Sequence, residues 1–140
     1  MEKEGFEPRA QNGAYVVTEQ RVHTFEEISP IVNALEDKHA EDVLALDLRQ
    51  STAIADYFIL ATANSTTHLQ TLQEAIEDAF ELQNMPYRRE GDASVKWRVV
   101  DGGHVVVHLF SRIGREFYRL ERIWGDAPSK RFSISSEDSL

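Results

Sequence analysis

The sequence predicts an α/β fold, a single domain whose mixed sheet of about five strands is flanked by helices. Three observations carry this expectation. The chain has 140 residues, 41% hydrophobic and 28% charged, which suits one domain with its own core. Residues 42–48 and 56–62 are short, nearly continuous apolar runs, the pattern of strands covered on both faces. Before and after them, apolar residues recur at the 3.6-residue spacing of helices that pack as a separate layer.

In chain order, residues 1–23 show no sustained periodicity and read as a loose N-terminal arm. Thr24 and Glu27 form a capping box, with Thr24 as N-cap. Phe25, Ile28, Ile31, Val32 and Leu35 then mark a helix to about residue 39. After the two apolar runs, residues 64–67 offer side-chain caps for a long helix near 66–83. That helix buries Leu69, Leu72, Ile76 and Phe80, while Glu74, Glu77, Asp78 and Glu81 share the opposite side. Met85-Pro86 ends it, and a short strand follows at 86–90. Two β-rich runs, 97–100 and 104–110, flank Asp101-Gly102-Gly103 as a hairpin whose turn uses glycine at positive φ. A last helix is predicted over 114–124, with Ile113, Phe117, Leu120 and Trp124 as its apolar stripe and Arg115, Arg119 and Arg122 on the far side. The domain is thus expected over 24–128. Residues 129–140 are Ser-rich and patternless, and read as a disordered tail.

Several chemistries are excluded by what is missing. With no cysteine, disulfides, thiolate catalysis and cysteine–zinc sites are out. No apolar run approaches a membrane span, and the acidic start of the chain is unlike a signal peptide, so the cytosol is the expected compartment. No phosphate-cradling glycine loop or nucleophile elbow occurs. His104 and His108 lie about 13 Å apart along one strand, too far to share a metal ion unaided. Asp47 and Asp56 each border an apolar run and would be the carboxylates of a nucleotidyltransferase-like enzyme. They lack the tight acidic cluster and the Gly-Ser turn of metal-dependent nucleotidyl transfer, so loop and cap roles are preferred.

Charge and aromatic residues leave three candidate surfaces. The net charge is −9, yet residues 96–131 hold eight Lys or Arg against four acids. Such a chain is a poor free-standing nucleic-acid binder and suits a basic protein partner. The carboxylate ridge of the long helix is either a solvated face or a docking surface for a Lys/Arg-rich protein. The arginine row Arg115, Arg119 and Arg122 is either a solvated face or a contact for RNA phosphates. Trp97, opening the hairpin beside Lys96 and Arg98, is either core or an interface anchor.

Four ordered segments, 42–49, 56–65, 97–108 and 115–127, then carry a resemblance. They include Asp47-Leu48-Arg49, Asp56-Tyr57-Phe58, Trp97-Arg98-Val99-Val100-Asp101 and Arg115-Glu116-Phe117-Tyr118-Arg119-Leu120-Glu121. Together they closely resemble the ribosome silencing factor family, also called Iojap-like or RsfS, over residues 25–128. The resemblance implies a nucleotidyltransferase-like fold without that active site, no cofactor and no metal. It also implies a translational repressor that binds a large-subunit ribosomal protein of the uL-fourteen family and sterically blocks joining of the small subunit. Homodimers are a further implication. Carried over by position, the partner surface includes Trp97 and Asp101, with His104 standing where the family has an acid. Tyr118 and Glu121 are added from the flank of the last helix.

Overall fold

A computed structural model describes residues 25–91 and 94–132. The two apolar runs are strands β1 (Glu41–Asp47) and β2 (Tyr57–Ala63). Ahead of them, a 3₁₀ turn over Phe25–Ile28 leads into α1 (Ser29–Asp37). After them come α2 (Thr66–Leu82), β3 (Arg88–Glu90), β4 (Trp97–Asp101) and β5 (Val105–Ser111). Two short helices, α3 (Arg112–Tyr118) and α4 (Leu120–Ile123), precede β6 (Ser129–Arg131). The six strands form one mixed sheet in the order β3-β4-β5-β2-β1-β6. The β2–β5 pairing is parallel and the other four are antiparallel. A parallel pair cannot be joined by a tight turn, and here α2 and the β3–β4 pair supply the crossover.

The pleat sends alternate residues to two cores. On one side Val43, Ala45, Tyr57, Ile59, Ala61, Val105, Val107 and Leu109 pack beneath Ile31, Val32 and Leu35 of α1 and Leu69, Leu72, Ile76 and Phe80 of α2. On the other side Leu44, Leu46, Phe58, Leu60, Val106 and Phe110 meet Leu120 of α4. Coverage of both faces is why β1 and β2 read as unbroken apolar runs. The capping expected before α2 is present. The Ser65 hydroxyl accepts the His68 N–H at 3.0 Å, and His68 Nδ1 accepts the Asn64 N–H at 2.9 Å. His68 Nε2 lies 2.7 Å from the Lys38 carbonyl and donates to it, tying the start of α2 to the end of α1.

Four elements differ from the sequence reading. Thr24, the arm at 1–23 and residues 133–140 lie outside the described residues, and α1 is entered through the 3₁₀ turn with Pro30 in its first turn. Glu77 leaves the carboxylate ridge: it is buried, paired with Arg89 and bonded by Gln73. Ser129–Arg131, expected in a tail, pairs antiparallel with β1 as the sixth strand. All three residues are exposed at the sheet edge, so no apolar alternation marked them. β3, at the opposite edge, is likewise three exposed residues, two Arg and one Glu.

The fourth difference is the last helix. It starts two residues early, at Arg112, where the Ser111 hydroxyl caps it by accepting the Gly114 N–H at 2.9 Å. It breaks at Arg119, which adopts a left-handed conformation with φ 46° and ψ 48°. A stripe at 3.6-residue spacing needs one continuous helix. With the break, Leu120 is buried, whereas Ile113 and Phe117 are 72% and 75% exposed. Glycine at position 114 is required by a close approach: an added Cβ would lie 2.2 Å from the Lys96 carbonyl oxygen. That carbonyl also accepts the Ser111 N–H, so α3 rests directly on the chain entering β4. Gly114→Ala is expected to lower stability by about 1–3 kcal/mol through this overpacking, read as a lower urea midpoint. An unchanged midpoint would show that α3 does not depend on the contact.

Candidate functional site

The β4–β5 hairpin and α3 build an aromatic face over the second core. Trp97, Val99 and Asp101 share one side of β4, and Val106, His108 and Phe110 share the same side of β5 through the register Trp97↔Phe110, Val99↔His108 and Asp101↔Val106. The Trp97 ring stacks on Phe110 at 5.4 Å between centroids and meets Tyr118 at 4.6 Å. Phe58 lies 4.5 Å from His108 and edge-on to Trp124 at 6.2 Å. Phe117 stands edge-on to Tyr118 at 5.0 Å. The inner members are buried and Trp97 is half-buried, while Tyr118 is 39% exposed and Phe117 and Ile113 are largely exposed. Aromatic rings with one buried and one wet side are the usual anchors of protein interfaces.

One hydrogen bond orients the anchor. Trp97 Nε1 donates to His108 Nδ1 at 3.1 Å, which fixes the neutral histidine with its proton on Nε2. His108 Nε2 is buried and makes no hydrogen bond. Burial pushes the His108 pKa down from 6.5 to about 4, with the Asp101 carboxylate opposing. The histidine is therefore neutral at pH 7, as acceptance from the indole requires.

The remaining predicted residues scatter. Asp101 sits at the other end of β4, where Oδ1 accepts the Gly103 N–H at 2.8 Å and Oδ2 pairs with Arg88 at 3.3 Å. Gly103 has φ +91°, as the hairpin reading requires. The His104 side chain is exposed, and its carbonyl accepts the N–H groups of Asp56 and Tyr57. Glu121 pairs with Arg115 at 3.4 Å rather than joining the aromatic face. Arg115 is not in an exposed row. It is buried, donates to the Asp42 carbonyl and the Thr62 hydroxyl at 2.9 Å each, and has its pKa lowered by desolvation. The turn of α3 onto the sheet buries it, leaving Arg119 and Arg122 exposed.

Asp47 and Asp56 do not form a site. Asp47 is buried and accepts both the backbone and side-chain N–H of Arg49, whereas Asp56 is exposed. Among the described residues no three His, Cys, Asp or Glu cluster as metal ligands, and no helix is long and apolar enough to cross a membrane. The sequence reading missed Phe58, His108 and Phe110 as members of the face. The sequence marks all three as strand residues, but only the strand register and pairing show that His108 and Phe110 lie against Trp97 and Phe58 against His108.

A family profile described as "Ribosomal silencing factor during starvation" matches residues 21–139. The chain belongs to this family. Ribosomal silencing factor RsfS of Bacillus subtilis (strain 168) is 41% identical over 96 residues, covering 68% of this chain and 81% of that protein. A Mus musculus protein named Mitochondrial assembly of ribosomal large subunit protein 1 is 28% identical over 102 residues, covering 70% of this chain and 45% of that one. The crystal structure of a Bacillus halodurans protein superposes with a TM-score of 0.66 at 31% identity, covering 76% of this chain and 98% of that one. The mixed α/β sheet is therefore the architecture of a silencing-factor family member, as the resemblance implied.

In this family member the buried histidine makes stability depend on pH. The unfolded chain protonates His108 near pH 6.5, whereas the folded chain resists protonation down to about pH 4. Stability contributed by neutral His108 is complete above pH 6.5 and is lost as pH falls through that window, by about 3 kcal/mol at most. Urea titrations between pH 7 and 4 should show a shallower loss for His108→Gln than for the native chain. Equal slopes would remove the histidine from the account.

Proposed function

We propose that this chain is a non-enzymatic translational repressor of the cytoplasm. It docks on the large ribosomal subunit and prevents the small subunit from joining by occupying the shared surface. Family membership supports the repressor reading, and the name of the mouse relative supports a large-subunit partner. The observation that carries it is the aromatic face, in which Trp97 and Tyr118 meet at 4.6 Å beside the exposed Phe117 and Ile113. Such a face suits recognition by burial, with no reacting group needed. The partner we assign is a basic ribosomal protein of the uL-fourteen family, since a chain of net charge −9 complements it and is steered toward it.

The test is co-sedimentation with purified large subunits followed by addition of small subunits. The native chain should travel with large subunits and suppress formation of whole ribosomes. Truncating a central aromatic anchor costs about 2 kcal/mol or more, roughly 30-fold in affinity. Trp97→Ala or Tyr118→Ala should therefore let whole ribosomes form at concentrations where the native chain blocks them. Normal subunit joining in saturating native chain would refute the proposal. Light scattering on the same variants reports whether this face also serves self-association.

A further inference from the structure

A second concave site lies beside the aromatic face. It is a cleft of about 410 Å³, bounded by α3, α4 and the ends of β1 and β2, within the size range of small-molecule sites. Because β2 and β5 are parallel, their carboxyl ends open at the same edge of the sheet, at Ala63 and Ser111. In open α/β sheets ligands bind in the crevice at the carboxyl ends of the strands.

The cationic groups in the cleft divide into two sets. Arg115 forms its floor, held by the Asp42 carbonyl, Thr62 and Glu121. Arg112 is clamped by both oxygens of Glu41, at 3.0 and 2.7 Å. These two are engaged within the protein. Arg119 uses only Nε, on the Glu116 carbonyl at 2.9 Å. The Arg122 guanidinium has no hydrogen bond or ion pair among the described residues. Two guanidinium forks thus line the cleft with donors to spare, the geometry that suits phosphate oxygens. Asp42 and Glu116 line it as well, whereas Glu121 is taken up by Arg115 and has its other oxygen buried. The first two carboxylates repel a bare polyanion, so a ligand must present hydrogen-bond donors beside its phosphate. Ribose hydroxyls and a base amino group do that.

We infer that this cleft binds a phosphorylated ribonucleoside, with Arg119 and Arg122 on the phosphate and the carboxylates on its hydroxyl and amino donors. The group comes either from a free nucleotide or from a strand of RNA. The inference does not depend on the docking proposal, because neither arginine contributes to the aromatic face.

Calorimetry on the full chain at low salt tests it, with four probes: adenosine monophosphate, inorganic phosphate, adenosine and a single-stranded uridine hexanucleotide. The monophosphate should bind more tightly than phosphate or adenosine. The double variant Arg119→Asn, Arg122→Gln should weaken that binding at least tenfold while its melting curve stays unchanged. Asparagine is chosen because it tolerates the left-handed backbone at 119. A hexanucleotide that binds more tightly than the monophosphate, with the same arginine dependence, assigns the source to RNA. A weaker one assigns it to free nucleotide. Overturning results are no binding, phosphate binding as tightly as the monophosphate, or affinities that ignore the double variant.

Discussion

The parallel pairing of β2 with β5 in the middle of the sheet is the constraint on which the rest of the molecule depends. Both strands are buried on both faces, so the chain must supply a covering layer on each side. On one side α1 and α2 do this with Ile31, Leu35, Leu72 and Phe80. On the other, α3 and α4 are only seven and four residues long, and they cover the sheet incompletely. The aromatic face is what remains where that layer falls short. Trp97, Tyr118 and Trp124 shield the second core while keeping one side in water. The face proposed for docking is the side on which the helical cover is short.

Complete, periodic burial is legible in a sequence, and rim contacts are not. β1, β2 and α2 were visible because their burial is complete and periodic: two unbroken apolar runs and one stripe of Leu69, Leu72, Ile76 and Phe80. Elements at the rim were not visible for the same reason. Ser129–Arg131 buries nothing and joins the sheet only through backbone hydrogen bonds, which leave no mark on side-chain pattern. The last helix differs because a stripe from Ile113 to Trp124 runs through Arg119, and nothing in an arginine announces a left-handed backbone. Of the candidate residues, Trp97 and Tyr118 are in contact. Their neighbours His108 and Phe110 needed the strand register, a long-range fact. Arg115 was placed on the wrong side because its partners, Asp42 and Thr62, are over fifty residues away in sequence.

Buried polar groups do specific jobs on both faces. On the helical side Arg98 donates to Gln70, Gln73 and the Ser94 carbonyl, which holds the start of β4 against α2. On the aromatic side His108 holds the indole of Trp97. The same strand is therefore clamped from above and below within two residues of its start. The Arg98 bonds and the Trp97–His108 bond fix orientation more than they add stability, since His108 Nε2 stays buried without a partner.

The two outer strands have a consequence for assembly. β3 and β6 are each three residues long, exposed and rich in arginine or lysine. Short cationic borders of this kind deter another copy from extending the ladder. Residues 129–131 thus act as a selvedge, a finished margin that keeps β1 from offering its hydrogen-bonding side to a stranger. Removing them would turn an inert border into an adhesive one, so a chain trimmed at residue 128 would be prone to polymerise strand by strand.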